Sequence, residues 1–81
     1  MTIADHNSTF RTADLCLATI LSLSFNIEAI ERINPRKVQF VFRQDKKLDK
    51  LVDEFWKGEV RIEPQVFFNQ LRMLKARIYN D

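Results

Sequence analysis

The chain has 81 residues, and its 13 Lys and Arg against 11 Asp and Glu give a net charge of +2 at pH 7. This near balance gives no strong drive toward nucleic acid or membrane surfaces. Hydrophobic residues make up 46% of the chain, with seven Phe and a single Gly, which predicts one small folded domain and excludes a disordered chain. The single cysteine excludes an internal disulfide, so we expect a cytoplasmic protein.

The first helix is the most apolar predicted element. Residues 1–9 are predicted to be a flexible tail, and residues 10–81 a single compact domain. Thr12 is a suitable N-cap for a helix over residues 13–24, which is apolar on nearly every side. Such a helix either lies at the centre of the domain or forms a homodimer interface, and both alternatives stay open. The uncharged run is too short to cross a bilayer, so no membrane partner is expected.

A β-hairpin is predicted next. Along residues 38–43, Val38, Phe40 and Phe42 fall on one side and Gln39, Val41 and Arg43 on the other, which is typical of a half-buried strand. Residues 27–33 supply a partner strand. A turn over residues 34–37, with its Asn-Pro opening, joins them. Counting outward from this turn places Glu31 opposite Phe40, a misfit on the apolar face. In this register, that face of the first strand carries Ile27, Ala29 and Ile33.

Two more helices follow the hairpin. Asp45 is predicted to cap a helix over residues 46–57, which Gly58 ends. Residues 59–63 alternate briefly and predict either a short third strand on the hairpin edge or an extended connector. Pro64 suits the first position of the last helix. The order predicts an α+β domain: helix, antiparallel β-hairpin, helix, possible short third strand, helix, with the helices packed on one face of a small sheet.

The sequence contains no catalytic or metal-binding constellation. Cys16 falls in the apolar stripe of the first helix, where burial makes a thiol inert, and the only histidine, His6, lies in the tail. Asp45, Asp49 and Asp53 recur every four residues, but the lysines between them indicate a solvated helix face. We therefore expect no enzyme, no cofactor and no metal.

Basic residues suggest one alternative function. Three lie near the hairpin tip and three on the last helix: Arg32, Arg36 and Lys37, and Arg72, Lys75 and Arg77. If the two groups adjoin, they predict a small nucleic-acid-binding protein that contacts phosphates. Cations near the end of a helix also complement its dipole, and need no ligand to explain them.

Two segments of the chain are distinctive enough to suggest a relationship to a known family: Phe-Arg-Thr-Ala-Asp-Leu at residues 10–15 and Phe-Trp-Lys-Gly-Glu at residues 55–59. Together with residues 71–75 and 78–79, they resemble a prokaryotic and phage family, domain of unknown function 5659. The resemblance implies a small compact domain and brings no activity, cofactor or catalytic residue. It draws attention to one candidate binding surface, made of Arg11, Asp14, Trp56 and Tyr79.

These patterns lead to two functional hypotheses. The first is a small non-enzymatic binding or adaptor domain that self-associates through its first helix and has a protein partner. The second is the nucleic-acid-binding protein that uses the six basic residues of the hairpin tip and the last helix.

Overall fold

The computed structural model describes residues 8–80. Its strands are β1 (Thr9–Thr12), β2 (Ile27–Asn34) and β3 (Lys37–Arg43), and its helices are α1 (Leu15–Ser22), α2 (Lys46–Trp56) and α3 (Pro64–Asn80). The strands form an antiparallel sheet in the order β1-β3-β2. The helices pack on one face of this sheet, which confirms the predicted α+β fold. Within residues 8–80, none of the helices has the length and apolar character needed to cross a membrane.

The third strand comes from the start of the chain rather than from residues 59–63. Strand β1 pairs with β3, and its Phe10 lies opposite Phe42 and packs against the core. Residues 59–63 form a connector, and Glu63 caps α3 by accepting a 3.0 Å hydrogen bond from the backbone N–H of Val66. Most of the predicted tail, residues 1–7, lies outside the described residues, but Thr9 already belongs to β1.

Helix α1 begins two residues later than predicted. Thr12 still belongs to β1, where it pairs with Phe40, so it cannot cap the helix. Asp14 is the N-cap instead, and its carboxylate accepts a 3.0 Å hydrogen bond from the backbone N–H of Leu17. The Thr12 hydroxyl accepts a bond from the Asp14 N–H and fixes the corner between strand and helix.

Helix α1 packs inside the domain, as expected for a central helix, and self-association of the chain stays a prediction. Five consecutive residues of this helix are buried: Leu17, Ala18, Thr19, Ile20 and Leu21. The helix packs against α2, α3 and β1, which cover most of its surface, while Cys16 near its start stays exposed. The Thr19 hydroxyl donates to the Leu15 carbonyl, 2.7 Å away, and leaves no unpaired polar group in this core. Much of the apolar surface that suggested a homodimer is therefore covered within the chain, although Leu23 at the end of the helix is exposed.

The other two helices complete the core as predicted. Leu48 of α2 and Leu74 of α3 are buried against Phe40 and Phe42 of β3. Asp45 caps α2 by accepting a 2.8 Å hydrogen bond from the Leu48 N–H. Both ends of α2 and the start of α3 therefore lie at or within one residue of the predicted positions.

Gly58 ends α2 in a left-handed conformation with φ of 71°. Its N–H donates to the carbonyl of Phe55, and the Glu59 N–H donates to that of Glu54, at 3.0 and 2.9 Å. These two bonds form a Schellman motif, which satisfies the last carbonyls of the helix. Glycine is favoured here because it reaches positive φ without a steric penalty.

The hairpin register differs from the prediction by one residue. Asn34 pairs with Lys37, which confirms the turn, but the next pair is Arg32 opposite Val38. Ile33 is therefore an extra residue in a β-bulge. It was predicted on the apolar face, but its side chain is 52% exposed.

This shift changes which residues of β2 face the core. Ile30 lies opposite Phe40 and packs against the core, whereas Ala29 and Glu31 lie on the opposite face of the sheet. A second irregularity next to Ile27 restores that residue to the core face, where it was predicted. The bulge buries an isoleucine and keeps a carboxylate out of the apolar core, where an unpaired charge would be costly.

Candidate binding site

A cleft of about 340 Å³ separates the hairpin tip from the C-terminal end of α3. Its apolar wall is formed by Val38, Phe40 and Ile78, together with Leu15 at the start of α1. The polar part is formed by three exposed side chains, those of Arg32, Arg36 and Tyr79. The cleft has no acidic residue among its described lining residues. It therefore combines positive charge with an apolar wall.

The β-bulge at Ile33 places Arg32 in the cleft. Because Arg32 pairs with Val38, which packs against the core, its side chain lies on the helix side of the sheet. There its guanidinium donates a hydrogen bond to the carbonyl of Ile78 in the last turn of α3. A cation at this position complements the negative end of the helix dipole. A guanidinium has five N–H donors, so one bond leaves others for a ligand.

Local hydrogen bonding fixes the backbone of the turn at Arg36. The Asn34 side chain accepts a 2.8 Å hydrogen bond from the backbone N–H of Arg36 and closes the turn around Pro35. Tyr79 lies across the cleft, one residue after Ile78, and its side chain is 81% exposed. Its ring can contact an apolar ligand group while its hydroxyl remains in water.

The six basic residues predicted as nucleic-acid contacts do not form a single patch. Arg32 and Arg36 line the cleft, and Lys37 is exposed beside it at the start of β3. Arg72 and Lys75 lie on the same side of α3 as Tyr79, because residues three, four and seven apart share one helix face. Arg77 lies on the other side of α3.

A second cavity is lined by Arg77 but not by Arg72 or Lys75. It has a volume of about 150 Å³ and lies between α3 and the segment that leads into β2. Arg77 and Met73 line it on the helix side, and Phe25 and Ile27 line it on the other. Arg77 therefore belongs to different surroundings from Arg72 and Lys75.

The predicted binding surface of four residues is divided as well. Only Tyr79 lines the cleft, and Asp14 is the N-cap of α1. Trp56 is exposed at the end of α2, with its ring edge-to-face against Phe55 at a centroid distance of 4.8 Å. Arg11 lies on the opposite face of the sheet from the helices, because the neighbouring Phe10 faces the core.

Arg11 has a structural partner on that outer face. Its Nε lies 3.1 Å from Oε1 of Glu31, so an ion pair connects the two edge strands across β3. The hydrogen bond with Glu31, and then the charge of that carboxylate, raise the pKa of the Arg11 guanidinium. Val41, which pairs with Arg11, is buried although it faces away from the helices. The aliphatic stem of the neighbouring Arg11 can cover Val41 while its guanidinium pairs with Glu31.

The prediction that Cys16 is a core residue was wrong. The thiol is exposed, because the buried positions of α1 begin one residue later, at Leu17. Partial desolvation, and then the negative charge of Asp14, raise the pKa of the Cys16 thiol, which disfavours the reactive thiolate.

The three aspartates on the predicted solvated face of α2 each make a local hydrogen bond or ion pair. Asp45 caps the helix, Asp49 accepts a hydrogen bond from Gln44, and Asp53 forms a 3.0 Å ion pair with Lys57. Among residues 8–80, no three His, Cys, Asp or Glu side chains form a group that could hold a metal ion.

Comparison with known families supports the resemblance seen in the sequence. A family model described as a domain of unknown function (DUF5659) matches residues 7–80. The chain belongs to this family. Searches of curated proteins and of solved structures gave no match.

The sequence predicted the polar residues of the cleft as candidate binding residues, but it did not predict that they line one cleft. Arg32, Arg36 and Tyr79 were assigned to two separate surfaces, and the apolar wall around Val38 was treated only as core. The signal that could have joined them is the break in alternation at residues 30–33, where an apolar residue is followed by two charged ones. Such a break is typical of a bulge, which turns the following side chains to the other face.

Proposed function

We propose that this protein is a small non-enzymatic binding domain that recognises an anionic group in the cleft between the hairpin tip and α3. The observation that carries the proposal is the pairing of Arg32 and Arg36 around an apolar wall, with no acidic residue among the described lining. The planar guanidinium of arginine matches the geometry of carboxylates and phosphates and can donate two parallel hydrogen bonds.

The cleft also determines what kind of anion suits it. Val38 and Ile78 offer apolar contact beside the two guanidinium groups, and Tyr79 adds an aromatic ring. A ligand with a charged group attached to a planar or aliphatic body can therefore satisfy both parts of the cleft. The single cysteine supports a cytoplasmic setting for this function.

The proposal is tested by NMR titration with inorganic tripolyphosphate, which carries the charge but no apolar body. We expect amide shifts at the hairpin tip and at the end of α3. Arg36→Gln should weaken binding by about tenfold, the effect of losing one charge-assisted hydrogen bond. Arg77→Gln is the matched control, because it removes the same charge from the other side of α3. Equal weakening by both substitutions, or shifts spread over the whole surface, would contradict a specific cleft.

A further inference from the structure

A row of aromatic and basic side chains extends from the cleft along α3. Phe68, Arg72, Lys75 and Tyr79 are spaced four, three and four residues apart, which places them on one side of the helix. We call this row the α3 flank. Its two aromatic residues are exposed, Phe68 to 53% and Tyr79 to 81%. No acidic residue occurs between residues 64 and 80, so nothing on α3 itself neutralises the flank.

Local contacts hold two of these side chains in place. The ring of Phe68 packs edge-to-face against the half-buried ring of Phe67, with 5.6 Å between the ring centroids. The Arg72 guanidinium donates a 2.7 Å hydrogen bond to the side-chain oxygen of Asn69. An exposed ring and cation that are already ordered lose less conformational entropy when a ligand binds.

We propose that the α3 flank and the cleft together bind single-stranded nucleic acid. Phe68 and Tyr79 stack on bases, and Arg36, Arg72 and Lys75 contact phosphates. This inference rests on the proposed function, since it names the anion of the cleft as a backbone phosphate. Two aromatic rings with two cations between them match a single strand, whose unpaired bases offer free faces for stacking. Paired bases of a duplex offer no such faces to an exposed ring.

The length of the flank sets the size of the site. Phe68 and Tyr79 are eleven residues apart, which corresponds to about 16 Å along a helix. A flank of this length is compatible with the roughly 4–16 nucleotides that a single-strand binding module occupies. Contacts to three phosphates predict that the logarithm of the binding constant falls with the logarithm of the salt concentration with a slope of about −2.

The experiment is fluorescence anisotropy with a labelled oligothymidylate of about twelve nucleotides, a length typical of single-strand sites. It is measured on the intact chain at low and near-physiological salt. Tyr79→Leu should lower the affinity by about tenfold through lost stacking, whereas Tyr79→Phe should keep it within about twofold. Arg72→Gln should weaken binding, and Arg77→Gln, on the other side of the same helix, should not. Thermal melting of each variant checks that the fold is intact.

Two results would overturn the inference. One is no binding of the oligonucleotide at low salt. The other is binding that Tyr79→Leu leaves unchanged and that a duplex of the same length reproduces, which would mean contact with phosphates alone. If tripolyphosphate still binds in the cleft in either case, the proposed function stands and only the nucleic-acid inference fails. If tripolyphosphate does not bind there, the proposed function fails with it.

Discussion

Helices α1 and α3 differ in the fraction of their residues that is buried. Five of the eight residues of α1 are buried, whereas Leu74 is the one fully buried residue among the 17 of α3. Helix α1 carries no charge, and α2, α3 and the sheet cover most of its surface. Helix α3 needs cover on one side only, and its outer side presents aromatic and basic residues. The contrast indicates that α1 mainly supports stability, while α3 leaves exposed the surface on which the proposed binding site lies.

The largest expected effect is on α1. Leu21 is completely buried, so Leu21→Ala should lower the free energy of unfolding by about 2–5 kcal/mol through lost burial and a cavity. Leu23→Ala, two residues later and exposed, is the control and should cost less than about 1 kcal/mol. Urea unfolding monitored by circular dichroism measures both. Equal losses would show that α1 is not buried as described.

A smaller effect is expected at the junction that leads toward α3. Gly58→Ala should destabilise the protein by about 1 kcal/mol, because a side chain at φ of 71° is strained although space is open around it. Gly58→Asn should cost less, since asparagine tolerates this conformation better. The same unfolding assay compares the two variants. An unchanged stability in Gly58→Ala would mean that the left-handed residue is not required to end α2.

The smallest effect is expected at the exposed edge of α1. Because the pKa of the Cys16 thiol is raised, the neutral thiol is favoured, and alkylation by iodoacetamide should be slow at neutral pH. The rate should rise only at a higher pH than for the cysteine of the urea-unfolded chain. Asp14→Asn keeps an N-cap side chain but removes the negative charge, so it should shift this pH profile downward. A fast reaction at neutral pH would contradict the raised pKa.

Local signals in the sequence were sufficient for most of the helical part of the fold. Asp45, Gly58 and Pro64 each have a side chain or backbone property that suits one position at a helix end, and the structure places them there. The alternation of β3 likewise identified the face that carries Phe40 and Phe42.

The strand pairing depended on contacts between distant segments. Strand β1 has only four residues, too few for alternation to stand out, and it forms by pairing with β3. The predicted register placed Glu31 on the apolar face. The bulge at Ile33 removes this misfit, because it shifts the register and turns Glu31 to the other face. The bulge also turns Arg32 toward α3. The predicted register placed Arg32 on the other face, so it could not predict the cleft.

The most direct test of this account is an NMR titration of the intact protein with the oligothymidylate, following every backbone amide. We expect shifts along the α3 flank from Phe68 to Tyr79 and at the hairpin tip around Arg36, with the amides of residues 17–21 in α1 unchanged. Shifts centred on the outer face of the sheet near Arg11, or spread through α1, would contradict the separation of binding and stability between the two helices.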